Sequence, residues 1–236
     1  MLRLNYHFIR SFADGRCPSG TWLVIFLSSE PDWALAVRKE IETLISTHNS
    51  SLSPFNSGQV LLQALAKIPL QAWESKTPSL DLCIRETLRT AQPHTALRKN
   101  MGPEFTIGPY TVPRGAFVAY PFYDTSLNPT YYPDPTRWNP ARSVDKEDLF
   151  LGWGSGKHMC KGQRLATLTM KLMVAYALMR FDLAMVDEQG QRMQKSPVPD
   201  WNDFLTCRPK EKCTLKVTER LFPQDYFTGF EANSTS

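Results

Sequence analysis

The chain has 236 residues, 42% of them hydrophobic, 21% charged and 11% aromatic, enough apolar side chain for a sizeable core, which excludes a disordered, collagenous or coiled-coil chain. Lys and Arg number 27 against 23 Asp and Glu, a formal charge of +4 that is too mild to indicate nucleic-acid binding. Five cysteines (Cys17, Cys83, Cys160, Cys207, Cys213) are widely spaced with no CxxC pair, which argues against a disulfide framework or a structural zinc site and for a reducing compartment.

In chain order, the start MLRLNYHFIRSFADG has arginines but no apolar block of a secretory signal. The longest apolar run, Trp22 to Leu27, is far shorter than the roughly 20 residues of a membrane span. The expectation is a chain with neither anchor nor export signal. From Pro31 to about Thr47, Trp33, Val37, Ile41, Leu44 and Ile45 form a helical stripe, started by Ser29, Glu30 and Pro31. The Ser/Asn-rich stretch His48 to Gly58 reads as a loop, followed by a short helix in VLLQALAKI. A third helix runs from about Leu80 to Thr90 with Ser79 as its N-cap.

Between Phe105 and Pro121, β-branched and aromatic runs cut by Gly-Pro and Pro-Arg-Gly predict a small β-meander. The proline-dense NPTYYPDPTRWNPARS that follows excludes long helices and central strands, leaving an irregular, aromatic-packed connection. From Gly162 to about Met179 a helix carries apolar residues over most of its circumference, which predicts burial. FDLAMVDEQGQRM reads as a hairpin around Gln189-Gly190, and Cys213 to Glu219 as a last strand. The fold class is therefore mainly α with small β-meanders. Residues 1–219 are expected to form one unit, and the polar residues 220–236 a frayed tail.

The stretch WGSGKHMCKG, Trp153 to Gly162, is a glycine-rich loop presenting one cysteine just before the apolar helix. A thiolate at a helix N-terminus is stabilised by the helix dipole and by backbone N–H groups aimed at the sulfur. Gly154 and Gly156 allow a tight turn, and Gly162 leaves room for something large and flat against the helix. The alternative for Cys160 is an inert buried thiol.

The loop resembles the heme-binding signature of the cytochrome P450 family: an aromatic seven residues before the cysteine (Trp153), Gly154 and Gly156, a basic residue two before it (His158), then Cys160 and Gly162. Phenylalanine is the usual aromatic, so Trp153 departs from the pattern conservatively. The resemblance implies heme b with Cys160 as the axial iron ligand, a thiolate that pushes electron density toward O–O cleavage. In its longer form, FLGWGSGKHMCKGQRLA, the pattern looks closest to sterol-demethylase-like and fungal microsomal members.

Two further motifs match the family's order and spacing. In CIRETLR, Glu86 and Arg89 lie three apart on one helix face, where they can pair and reach a third group. WNPARS resembles the family's aromatic-x-Pro-x-Arg segment, making Arg142 the third member of a Glu-Arg-Arg network that locks the meander below the heme. Arg98, nine residues after Arg89, and His158 stand where the family places basic contacts to the heme propionates.

The resemblance covers about Phe12 to Glu219 but only the C-terminal half of the family's fold, as in a fragment truncated at the N-terminus. FADGRCPSGTWLVIFL looks like the tail of the family's long central helix. There the position matching the family's proton-delivering Thr falls on Pro18, which has no hydroxyl, and Ser19 is the nearest substitute relay.

The implied function is that of a heme-thiolate monooxygenase, R–H + O2 + 2 e− + 2 H+ giving R–OH + H2O, with the cofactor carrying the hard chemistry. The implied partners are a small, lipophilic organic substrate and an NADPH-dependent flavoprotein reductase. Lys157, Lys161 and Arg164 around Cys160 form a basic patch that would face that reductase. The family's microsomal members are anchored to the endoplasmic reticulum membrane; without an anchor this chain is expected in the cytoplasm. Two alternatives stand beside this reading: a catalytically incomplete heme-binding pseudoenzyme, and an interaction protein with no cofactor.

Overall fold

The computed structural model describes residues 18–49, 57–92, 94–142, 149–193, 195–203, 207–212 and 214–220. Gly15 to Cys17, much of the loop after His48, Cys213 and the tail from 221 onward lie outside these residues.

The chain enters through α1 (Pro18–Ser29), in which Trp22, Leu23, Phe26 and Leu27 are buried. After a single-residue break, α2 (Pro31–His48) has Glu30 as its N-cap and Pro31 in its first turn, where the lost N–H has no intrahelical partner to miss. Its stripe of Val37, Ile41, Leu44 and Ile45 faces the core at the spacing expected. α3 (Gly58–Ala66) is capped by Ser57, whose hydroxyl accepts from the Val60 N–H at 3.3 Å. α4 (Leu70–Ser75), which the sequence pattern left unmarked, buries Trp73.

α5 (Pro78–Thr90) corrects the expected capping. Ser79 lies inside the first turn, Thr77 occupies the N-cap position without a capping bond, and its hydroxyl donates back to the Trp73 carbonyl at 3.0 Å. The free N–H groups are served from another helix: Glu40 of α2 accepts from Ser79 N at 2.6 Å and from Leu80 N at 3.1 Å. A carboxylate there also suits the positive end of the helix dipole.

Among the described residues three two-stranded antiparallel sheets follow. β1 (Thr95–Lys99) pairs with β4 (Phe117–Pro121) in the register Leu97 opposite Ala119, and β2 (Phe105–Ile107) forms a hairpin with β3 (Tyr110–Val112). A five-residue helix, α6 (Phe122–Ser126), leads into the proline-dense segment. That segment holds no helix or strand in its described part and buries Tyr132 and Trp138, the aromatic packing its composition implied.

The buried residues of α7 (Gln163–Arg180) all lie from Met170 onward, whereas Leu165 is 70% exposed and Leu172, within that stretch, 36%. The expectation of a helix covered on nearly all faces therefore fails for its first two turns and for the Leu172 face. β5 (Phe181–Val186) is followed by a turn at Gly190 (φ +78°), but the expected hairpin amounts to one isolated bridge, Val186 to Arg192; the partner strand of β5 is β6 (Thr214–Glu219), Leu183 opposite Val217.

The core lies where α1, α2, α5 and α7 meet, with Leu23, Ile41, Leu80, Cys83 and Val174 fully enclosed. Each such aliphatic side chain contributes roughly 1.5–3 kcal/mol of burial. Phe26 stacks on Trp138 at 5.2 Å and leans on Trp22 at 5.1 Å. Both indoles are tied by their N–H groups, Trp22 to the Cys207 carbonyl at 2.6 Å and Trp138 to the Thr87 hydroxyl at 3.1 Å. Among the described residues no helix is long and apolar enough to cross a membrane.

Candidate functional site around Cys160

The approach to α7 is built by glycines. Gly152 packs so tightly on α5 that a Cβ there would fall 2.9 Å from the Leu88 Cβ. Gly154 (φ +73°) and Gly156 (φ +67°) take left-handed backbone that side chains disfavour. A single 3-10 turn, Gly156–His158, then lifts the chain so that Cys160 N donates to the Trp153 carbonyl at 2.8 Å. That bond closes the loop, and Trp153 itself leans half-buried on the core.

Of the three cysteines among the described residues, Cys83 and Cys207 are buried and Cys160 is exposed. Burial, reinforced by the Glu40 carboxylate, holds the Cys83 thiol far above its ordinary range. Burial, with Asp203 and Asp200 nearby, pushes Cys207 up to about 12. Cys160 instead lines an open cleft of about 410 Å3 shared with Trp73, Glu74, Lys161, Arg164 and Lys171.

Beneath the loop, Glu86, Arg89 and Arg142 come together with side-chain exposures of 5%, 2% and 8%. Arg89 forks onto Glu86 at 2.7 and 2.8 Å, and Arg142 Nε reaches the same carboxylate at 3.3 Å. The Asn139 N–H adds a further donor at 3.0 Å. The remaining guanidinium donors end on backbone carbonyls: Arg89 on Ser126 and Pro135, Arg142 on Pro133, Asp134 and Arg137. Two cations thus stitch the irregular segment to α5 through its backbone carbonyls. The Arg89 guanidinium also lies 4.9 Å over the Tyr132 ring. Burial raises the Tyr132 hydroxyl above its ordinary pKa, with Arg89, Arg85 and Arg142 pulling it back.

The other sequence-derived candidates are placed differently. His158 and Lys161 are exposed beside Cys160. Arg98 is exposed on β1 and donates to the neighbouring Leu97 carbonyl at 2.9 Å. Ser19 is half-buried in the first turn of α1. Arg164 is no free member of the basic patch, because it pairs with Glu74, whose carboxyl that bond holds below its usual range. The patch is left with Lys157 and Lys161.

Sequence reasoning missed Lys171. It is 3% exposed, and its ammonium donates to the Trp73 carbonyl at 2.7 Å, the Thr77 hydroxyl at 2.9 Å and Asp81 at 2.8 Å. Three acceptors saturate three N–H groups. The available signal was a lone cation inside the apolar run Met170 to Val174.

These residues fit a heme. Cys160 is an exposed thiol lining an open cleft, the kind of single protein ligand taken by an iron whose other donors come in a macrocycle. Gly162 (φ −88°) needs no glycine for its backbone, and a Cβ there would meet the Cys160 Sγ only at an ordinary 3.9 Å. The chain itself leaves that space open, as a flat group lying against the helix requires.

Comparison with known proteins agrees with this arrangement. The family model described as Cytochrome P450 matches residues 19–214. The chain is 38% identical over 183 residues to cytochrome P450 monooxygenase AacuE of Aspergillus aculeatus, covering 73% of this chain and 35% of that protein. It is 35% identical over 221 residues to cytochrome P450 monooxygenase nsrP of Aspergillus novofumigatus, covering 89% and 42%. A mitochondrial relative, cytochrome P450 11B1 of Rattus norvegicus, is 30% identical over 139 residues, 57% of this chain and 28% of that protein. The chain spans well under half the length of these relatives. The signature loop, the Glu-Arg-Arg network and the match across most of the sequence place this chain in the cytochrome P450 family.

Proposed function

We propose that this chain supplies the thiolate side of a heme monooxygenase, with Cys160 as the iron ligand, inserting one oxygen atom of O2 into an organic substrate. The observation that carries this reading is the exposed Cys160 in a closed glycine loop at the N-terminus of α7, while the other described thiols are buried. When bound, the heme supplies the activation of dioxygen.

The chain's own residues hold and serve that group. The Trp153 carbonyl, by taking the Cys160 N–H, fixes the loop that aims the sulfur. Arg98 and His158 are the residues proposed for the propionates, the Arg98 guanidinium as a two-pronged donor and the His158 ring through an N–H. Glu86, Arg89 and Arg142 hold the irregular segment against α5 behind the loop. Ser19 Oγ is the proposed proton donor on α1, next to Pro18, which has none to give. Lys157 and Lys161 form the exposed cationic surface proposed for an NADPH-dependent flavoprotein reductase.

The test is the ferrous carbon monoxide difference spectrum of the heme-loaded chain. Wild type and Cys83→Ala give thiolate-type absorption, and Cys160→Ala loses it. An unchanged spectrum in Cys160→Ala overturns the reading. Turnover with a reductase separates a working monooxygenase from a chain that binds heme without oxygenating anything.

A further inference from the structure

On the face of α5 beside the Glu86 network is a second cleft, of about 280 Å3, lined by Leu82, Arg85, Arg89, Tyr132, Arg142 and Phe150, with Glu86 at its base. Among the described residues its charges do not balance. Glu86 is fully engaged by Arg89, Arg142 and the Asn139 N–H, and the other Arg89 and Arg142 donors end on neutral carbonyls. Carbonyls satisfy hydrogen bonds but cancel no charge, so two buried cations face one anion. Arg85 adds a third cation. Its guanidinium carbon lies over the Phe150 ring, 4.4 Å from the centroid, and it makes no hydrogen bond or ion pair among the described residues.

We propose that this cleft is an oxyanion site, taking a phosphate or carboxylate group on the free edge of Arg85. Contact with the Phe150 ring restrains the guanidinium, and because no described residue takes its N–H donors they can serve a two-pronged ligand. Phe150 therefore does for Arg85 what a second hydrogen-bonding partner does elsewhere: it removes rotational freedom before the ligand arrives. The excess charge of the cleft attracts an anion, and Arg85 gives it a place to sit. Arg89 and Arg142 contribute field rather than contact, since their donors are occupied. A free ion and the side chain of an acidic segment share this chemistry, and the probes below separate them.

The experiment is calorimetric titration of the full chain with inorganic phosphate and, separately, with a hexaglutamate peptide, at ionic strength held constant with chloride. Saturable binding of one equivalent is expected for at least one probe. Phosphate alone identifies a free-ion site, and the peptide alone identifies a site for acidic side chains. Arg85→Gln should weaken that binding about tenfold or more, the loss of one charge-assisted pair, with Arg85→Lys intermediate. Because Arg85 makes no hydrogen bond or ion pair among the described residues, Arg85→Gln should lose only the ring contact and so lower the midpoint slightly without ligand, and the ligand-induced rise in midpoint should vanish in Arg85→Gln. Cys160→Ala should bind the probe as wild type does, since the site does not depend on heme. Absence of saturable binding by either probe, or binding that Arg85→Gln leaves unchanged, overturns the proposal while leaving the Cys160 reading intact.

Discussion

Lys171 of α7 and Asp81 of α5 meet at 2.7 Å, the ammonium 3% exposed and the carboxylate 43%. The pair joins the helix that follows Cys160 to the helix that carries Glu86. The same ammonium caps the carbonyl end of α4 at Trp73.

Lys171→Met keeps the apolar stem and removes all three bonds, so the Trp73 carbonyl retains the Thr77 hydroxyl as donor but loses the charged one, and the Thr77 oxygen loses its ammonium donor. The expected cost is about 2–3 kcal/mol, as for hydrogen bonds to a charged group. Asp81→Asn should cost much less, because its carboxylate is partly solvated and the ammonium keeps its other acceptors. Urea unfolding of both variants checks the order; equal losses would mean that the exposed ion pair, and not the cap, carries the stability.

Glu86→Ala leaves two buried guanidiniums without a counter-charge, at roughly 3–5 kcal/mol. Soluble yield and urea midpoint should fall together, and the 132–142 segment should become the first site of limited proteolysis. A Glu86→Ala chain with wild-type midpoint and proteolysis pattern would show that the backbone carbonyls alone neutralise the two arginines.

Thiol chemistry should follow burial. In a Cys17→Ser, Cys213→Ser background, iodoacetamide at neutral pH should label Cys160 under native conditions. Cys83 and Cys207, held protonated by burial, should label only as the chain unfolds. Mass spectrometry of tryptic peptides reads the order, and native labelling of Cys83 at the Cys160 rate would contradict the packed core.

Glu30, the N-cap of α2, has its carboxyl raised above the ordinary value of 4.5, first by burial and then by Asp32, against the pull of Arg137. The folded chain thus holds this proton more tightly than the unfolded chain. Its contribution to stability is fully present below the ordinary carboxylate range and is lost as pH rises through the raised folded value. Comparing roughly pH 4 with roughly pH 7, Glu30→Gln should therefore gain stability relative to wild type at the higher pH. Parallel pH profiles for the two chains would argue against desolvation of this half-buried carboxyl.

What the sequence revealed depended on how local the cause was. The α2 stripe is legible because a 3.6-residue period exposes it directly. Glu86, Arg89 and Arg142 could be named because each sits in a recognisable short motif, and the structure brings the three together. Ser79 failed as a cap because the N–H groups of α5 are served by Glu40, 39 residues away, which no local pattern announces. Arg164 looked like part of a basic patch because Glu74, 90 residues distant, cancels it only in the folded chain. Leu165 shows the limit of reading burial from composition: an apolar side chain predicts a covering surface, not that the described chain provides it.

The Trp22, Phe26 and Trp138 stack gives the molecule an optical signature of its own. Three rings fixed at 5.1 and 5.2 Å, with both indole N–H groups bonded, sit in one asymmetric setting. Such a setting produces strong near-ultraviolet circular dichroism, which vanishes when side-chain packing loosens even if helices persist. Because Trp22 is tethered to Cys207 and Trp138 to Thr87, that signal reports whether the segment around residue 207, α1 and α5 are still locked together.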